Sequence, residues 1–271
     1  MLETDRMLLL IAVADCIRAN DFTKSQPMLG ICVDRIVDNE LAAIPQGRNG
    51  LVFRNDRAPQ DLRLAVPSRK KWPNGYELKC NFLDGSEFQK LRVQKYARTW
   101  EKYANIRFSF DAVQSAEIRI SFNKDPVSWS AIGTDALIAM YFPETQPTMH
   151  FGSLNDTTTE SEWRGTVLHE FGHALGAIHE HQQPANSLSW NLDAVYKMFS
   201  GPPNNWTHDE IRRNIIEKYS QEQVNWTSFD PNSIMLYHFP AELFVSGEGT
   251  PANTDLSKTD KKFISALYPH T

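Results

Sequence analysis

Apolar side chains recur every three or four positions through the middle of the chain, with Trp163, Val167, Phe171 and Ala174 falling on one helical face. Just upstream, Thr159 and Glu162 have capping-box spacing, so a helix with one buried face is predicted to start there. A second stripe, Val93, Tyr96, Trp100 and Tyr103, follows another such pair, Ser86 and Gln89, and predicts a helix packed against a sheet. Apolar and polar positions alternate over residues 76–82, 106–110 and 118–122, as in half-buried strands, and residues 148–151 read as one more short strand. After Gly176 the periodicity gives way to loops rich in Pro, Asn and Trp, with one helix expected over residues 208–219. The fold class is therefore α+β, with a sheet ahead of the long central helix.

Composition narrows the functional classes. With 271 residues, 41% of them hydrophobic, the chain can bury a sizeable core without metal or disulfide help. No apolar run reaches membrane-spanning length. A net charge of -5 with no basic block argues against nucleic acid as a partner. The three cysteines, Cys16, Cys32 and Cys80, leave nothing after position 80 to staple the rest of the chain.

The central helix carries the chemistry. Over eleven residues, from His169 to His179, it places three imidazoles and one carboxylate, Glu170. His169 and His173 lie one helical turn apart and face the same side, so both rings can reach one metal ion. Gly176 can adopt the left-handed conformation that ends a helix and turns the chain, bringing His179 back as third ligand. Three protein ligands suit a single catalytic zinc with an open position. Glu170 is badly placed as a ligand and well placed as the general base of a metal-assisted hydrolysis.

Together with Ser233-Ile234-Met235-Leu236-Tyr237, which begins 54 residues past His179, this stretch resembles the metzincin zinc metallopeptidases, whose Met-turn forms a floor under the metal. Glu180 directly after the third histidine, and Tyr237 two residues after Met235, resemble the astacin family. Trp129-Ser130-Ala131-Ile132-Gly133 is similar to the loop ahead of the substrate-binding strand in astacins. The segment from Leu256 to Asp260 resembles the start of their closing helix, which should end near Tyr268. The resemblance implies a metzincin-type zinc protease domain over residues 66–271. Its upper lobe would hold a mixed twisted sheet with two long helices, its lower lobe would be irregular, and residues 148–151 would be the strand that pairs with substrate. It further implies Tyr237 as a fifth, displaceable ligand that swings to the developing oxyanion, and Met235 as a support. Glu180 would either anchor a mature N-terminus or be a plain surface carboxylate. Two departures mark a divergent member: Leu236 stands where astacins carry histidine, and the catalytic half lacks their disulfides.

Residues 1–65 form a separate N-terminal segment, possible pro-segment material, in which Cys32 or Asp34 is a candidate to cap the zinc. Residues 7–14 make a poor signal segment, short and preceded by Glu3 and Asp5, whereas the resemblance favours secretion. The expected function is zinc-dependent endopeptidase, acting as a monomer on protein or peptide substrates. Two alternatives fit the same residues: a zinc amidase on a non-protein polymer, and a latent or non-catalytic binding protein. The pocket governing specificity is expected along residues 238–243.

Overall fold

The alternation at 77–80 becomes strand β2 (Glu77–Phe82), with Leu78 and Cys80 buried and Glu77 and Lys79 exposed. The structure is a computed structural model that describes residues 66–67, 70–111, 115–123, 127–202, 204–219, 224–225 and 228–270. Around β2 a five-stranded sheet forms with β3 (Arg107–Ser109), β4 (Ile118–Ser121), β5 (Ser128–Ser130) and β6 (Met149–Phe151), in the order β3-β2-β4-β6-β5. The first four are parallel, and β5 runs antiparallel to β6, pairing Ser128 with Phe151 and Ser130 with Met149. The sheet is therefore mixed. A separate two-stranded pairing joins β1 (Val66–Pro67) to β7 (Val224–Asn225), tying the start of the described chain to its lower part.

Two expectations about strands are corrected. Residues 118–121 are buried on both faces, because β4 is a central strand covered on either side, so their alternation does not mark a half-buried strand. Residues 149–151 are not at the edge. The edge on that side is β5, which contains Trp129 and Ser130, so the segment expected to precede the edge strand is that strand. Arg119 helps fix this arrangement by donating from its buried guanidinium to the carbonyls of Ala116, Phe142, Pro143 and Gln146, which holds the β5–β6 connection over β4.

Helix α1 (Glu87–Ala97) starts at the Ser86–Gln89 capping box and ends at Ala97, short of the predicted stripe. Trp100 and Tyr103 stay in register with it because a single 3-10 turn, Trp100–Lys102, follows and brings i and i+3 onto one side. Helix α2 (Glu160–Ala174) begins at the Thr159–Glu162 box, and its buried face includes Trp163, Val167, Phe171 and Ala174. In the lower part α3 (Leu192–Ser200), capped by Asn191, was not anticipated from the pattern. The helix expected over 208–219 is shorter: α4 (His208–Ile211) runs into a π-helical turn, Arg212–Ile216, and Glu217 is extended. Helix α5 (Lys258–Leu267) closes the chain from the Ser257 cap.

The apolar interior falls into two main clusters. The upper one joins the sheet, α1, α2 and α5, with Trp72, Leu78, Trp100, Phe171 and Tyr268 at its centre. The lower one gathers Val195, Phe199, Ile211, Phe239 and Leu243, and reaches Trp129. No helix among the described residues is long and apolar enough to cross a membrane. Residues 1–65, with Cys16, Cys32, Asp34 and the proposed pro-segment, lie outside the described residues.

Candidate metal centre

At the C-terminus of α2, Gly176 takes a φ of +103°. Its N–H bonds to His173 O at 2.8 Å, and the N–H of Ala177 bonds to Gly172 O at 3.0 Å, the paired bonds of a Schellman ending. The remaining carbonyls are also satisfied. Trp72 Nε1 donates to Ala174 O at 2.7 Å, and the Tyr268 hydroxyl donates to Leu175 O at 2.8 Å. The turn sends the chain back along the helix, and His179 arrives beside the other two histidines.

One ligand nitrogen from each of His169, His173 and His179 lies within 4.8 Å of the others, and all three residues are buried. His173 Nε2 is 3.1 Å from His169 Nε2 and 3.0 Å from His179 Nε2. The protons can be assigned from the outer nitrogens. His169 Nδ1 lies 2.7 Å from Ile234 O and His173 Nδ1 lies 2.8 Å from Ala177 O, so each Nδ1 carries the hydrogen and each Nε2 is bare. Lone pairs facing each other at this distance repel unless a cation lies between them. Nitrogens bound tetrahedrally to zinc stand roughly 3.3 Å apart, so the donor set fits that ion. Burial, and then the neighbouring His169 and His181, push the His179 pKa well below its ordinary value, which keeps the ring neutral.

Tyr237, buried, stacks over the same group with its ring centroid 4.1 Å from that of His179 and 5.5 Å from that of His169. Glu170, next to His169 on α2, is 1% exposed and lines a cleft with His169 and Tyr237. Met235 sits beneath. A Cβ on Gly172 would meet its Sδ at 2.4 Å, and its carbonyl accepts from Glu180 N at 2.9 Å. The structure thus brings together all five residues singled out from the sequence: His169, His173, His179, Glu170 and Tyr237.

Glu180 is buried, not a surface carboxylate. Its Oε1 accepts from Asp230 N and Gln183 Nε2, while Oε2 has no hydrogen-bond partner among the described residues. Burial raises its pKa to about 8 despite those donors. The expected specificity segment is only partly right. Phe239 and Leu243 belong to the lower core, whereas His238 lines the cleft together with Ile234, Leu236 and the segment 252–254.

One supporting residue escaped the sequence reading. Asp260 Oδ1 accepts from Ser233 Oγ and Oδ2 from Ile234 N, at 2.7 and 2.8 Å, so the first turn of α5 holds the chain that carries Met235. Asp260 completes the capping box of Ser257, and a closing helix starting within residues 256–260 was visible in the sequence. That its carboxylate also reaches a loop 26 residues away was not.

Comparison with known proteins agrees with this geometry. The matrixin family model matches residues 74–200. A zinc metalloproteinase of Caenorhabditis elegans, nas-24, is 28% identical over 124 residues, covering 44% of this chain and 27% of that protein. The chain thus spans about a quarter of that relative's length. One structure of myroilysin is 38% identical, with a TM-score of 0.73, covering 76% of this chain and 99% of that one. A second myroilysin structure is 32% identical, with a TM-score of 0.59, and covers 88% of this chain and all of that one.

Proposed function

The chain belongs to the metzincin zinc metallopeptidases as a divergent, astacin-like member, and we propose that it is an endopeptidase in which Glu170 is the general base. The observation that carries this reading is the convergence of three histidine Nε2 atoms, that of His173 lying 3.1 Å from His169 and 3.0 Å from His179, with Glu170 and Tyr237 beside them in one cleft.

His169, His173 and His179 would hold the ion, with Tyr237 as the displaceable fifth ligand. Zinc bound there supplies Lewis acidity, acidifying a water and polarising a peptide carbonyl. Glu170 takes one proton from the attacking water. It then passes that proton to the leaving nitrogen as the C–N bond breaks. The Tyr237 hydroxyl hydrogen-bonds the oxygen on which charge develops. As an edge strand among the described residues, β5 would offer backbone groups to an extended substrate, in place of the interior strand β6. Residues 233–237 act as the Met-turn, and the open Glu180 Oε2 is suited to a cationic chain terminus.

The N-terminal segment 1–65 is read as a pro-segment ahead of a catalytic domain over 66–271. Zinc content and casein cleavage, measured together on the full chain, on residues 66–271 and on Glu170→Gln, test the proposal. Chelator-sensitive cleavage abolished by Glu170→Gln with zinc retained is the expected result, and faster cleavage by 66–271 identifies the pro-segment. Zinc-loaded protein in which Glu170→Gln cleaves as fast as the parent would overturn the assignment.

A further inference from the structure

Beside Glu170 a cleft of about 210 Å³ runs along α2 toward its N-terminus. Its helical wall is Glu162, Gly165, Thr166, His169 and Glu170, spaced i, i+3, i+4, i+7 and i+8, so a single continuous face of α2 lines it. The opposite wall includes Ile234, Leu236 and the segment 252–254.

That second wall is pinned in place. Arg164 Nε donates to Thr254 O at 2.8 Å, and Asn253 Nδ2 donates to Pro231 O and Ser233 O, both at 2.9 Å. Gly165 permits the close approach, since a Cβ there would lie 3.3 Å from both Asn253 O and Thr254 Cα. The charges along the cleft are one-sided: Glu162 and Glu170 line it together with His169 and His238, and no lysine or arginine does among the described residues. Glu162 Oε2 accepts from Thr159 N at 2.9 Å and Thr159 Oγ1 at 2.6 Å. These bonds hold its carboxyl below the usual range, so it is an anion at neutral pH.

We propose that this cleft receives the side chain of the residue that follows the cleaved bond, and that Glu162 selects lysine or arginine at that position. The inference rests on the peptidase reading above. Glu170 hands its proton to the nitrogen contributed by that residue, so the side chain of that residue is the one nearest the cleft. Reach then selects among side chains. Glu162 and His169 are seven residues apart on α2, roughly 10 Å along the axis, which favours a long stem with a charged tip. The stem packs on Ile234 and Leu236, and the head meets the Glu162 carboxylate at the exposed end. Because that carboxylate is exposed, the preference is modest, about two- to fivefold, and salt weakens it.

The test uses peptides differing only in the residue after the cleaved bond (lysine, arginine, norleucine or glutamate), given to zinc-loaded protein in the form that cleaves casein. At low salt, kcat/KM for lysine and arginine should exceed that for norleucine by about two- to fivefold, with glutamate lowest. In Glu162→Gln the ratio should fall to about one. A glutamine Oε1 still accepts from Thr159 N, as Gln89 Oε1 accepts from Ser86 N in the box of α1, so the helix stays capped. Cleavage of all four peptides at one rate, or a lysine preference that survives Glu162→Gln, overturns this inference alone. Zinc-loaded protein that cleaves neither peptide nor casein in any form overturns the peptidase reading with it.

Discussion

A side chain at Gly172 would have to displace Met235, whose Sδ lies 2.4 Å from where its Cβ would stand. Gly172→Ala should cost about 1–3 kcal/mol through overpacking, read as a fall of several degrees in Tm. Two other single changes separate chemistry from folding. Glu170→Gln should keep zinc and lower kcat by about 10²–10⁴, measured by turnover beside metal content. Tyr237→Phe should keep zinc and lose mainly kcat, with KM for a peptide little changed. The candidate ligand histidines and Glu170 could be read directly from the sequence, because their placement is set by spacing on one helix and one turn. Thr166, Asn253 and Asp260 could not, since each matters through a long-range approach of two segments that no local pattern records.

Among the elements, α2 and the segment around β5 carry the site, and each has a testable anchor. Thr159→Ala removes the hydroxyl that accepts from Glu162 N, and should cost about 1 kcal/mol by chemical denaturation. After β5 the chain turns at Gly133, where φ is +51° and a Cβ would fall 1.9 Å from Lys70 O. Two residues on, Asp135 Oδ2 meets Lys70 Nζ at 2.6 Å in a pair almost wholly buried. Asp135→Asn strips the charge partner from a buried ammonium, and a loss of about 3–5 kcal/mol is expected in urea unfolding. The capping boxes and the buried face of α2 were plain from the pattern. The position of β5 was not, because which strand ends at an edge depends on how the β5–β6 connection folds back, a matter of Arg119 and its four carbonyl acceptors. Helix α3 escaped for the same kind of reason: its Val195 and Phe199 are buried only because the lower cluster forms around them.

For the molecule as a whole, the metal centre lies where the two clusters of apolar side chains come together. His169 and His173 project from the helix of the upper one, and Tyr237 belongs to the lower. Binding of zinc to the folded state alone stabilises that state by mass action, so chelation should lower Tm and added zinc should restore it. The shift should be larger than in His173→Ala, where the site is already broken. An unchanged Tm on chelation would mean that the lobes hold together without the ion.

The fit between Gly172 and Met235 also bears on how such a chain can drift. The strain of an added methyl at one position is relieved when volume is removed at the other, so the two sites are coupled. Gly172→Ala combined with Met235→Val should therefore lose less stability than the two changes summed, a compensation that a double-mutant cycle reads directly.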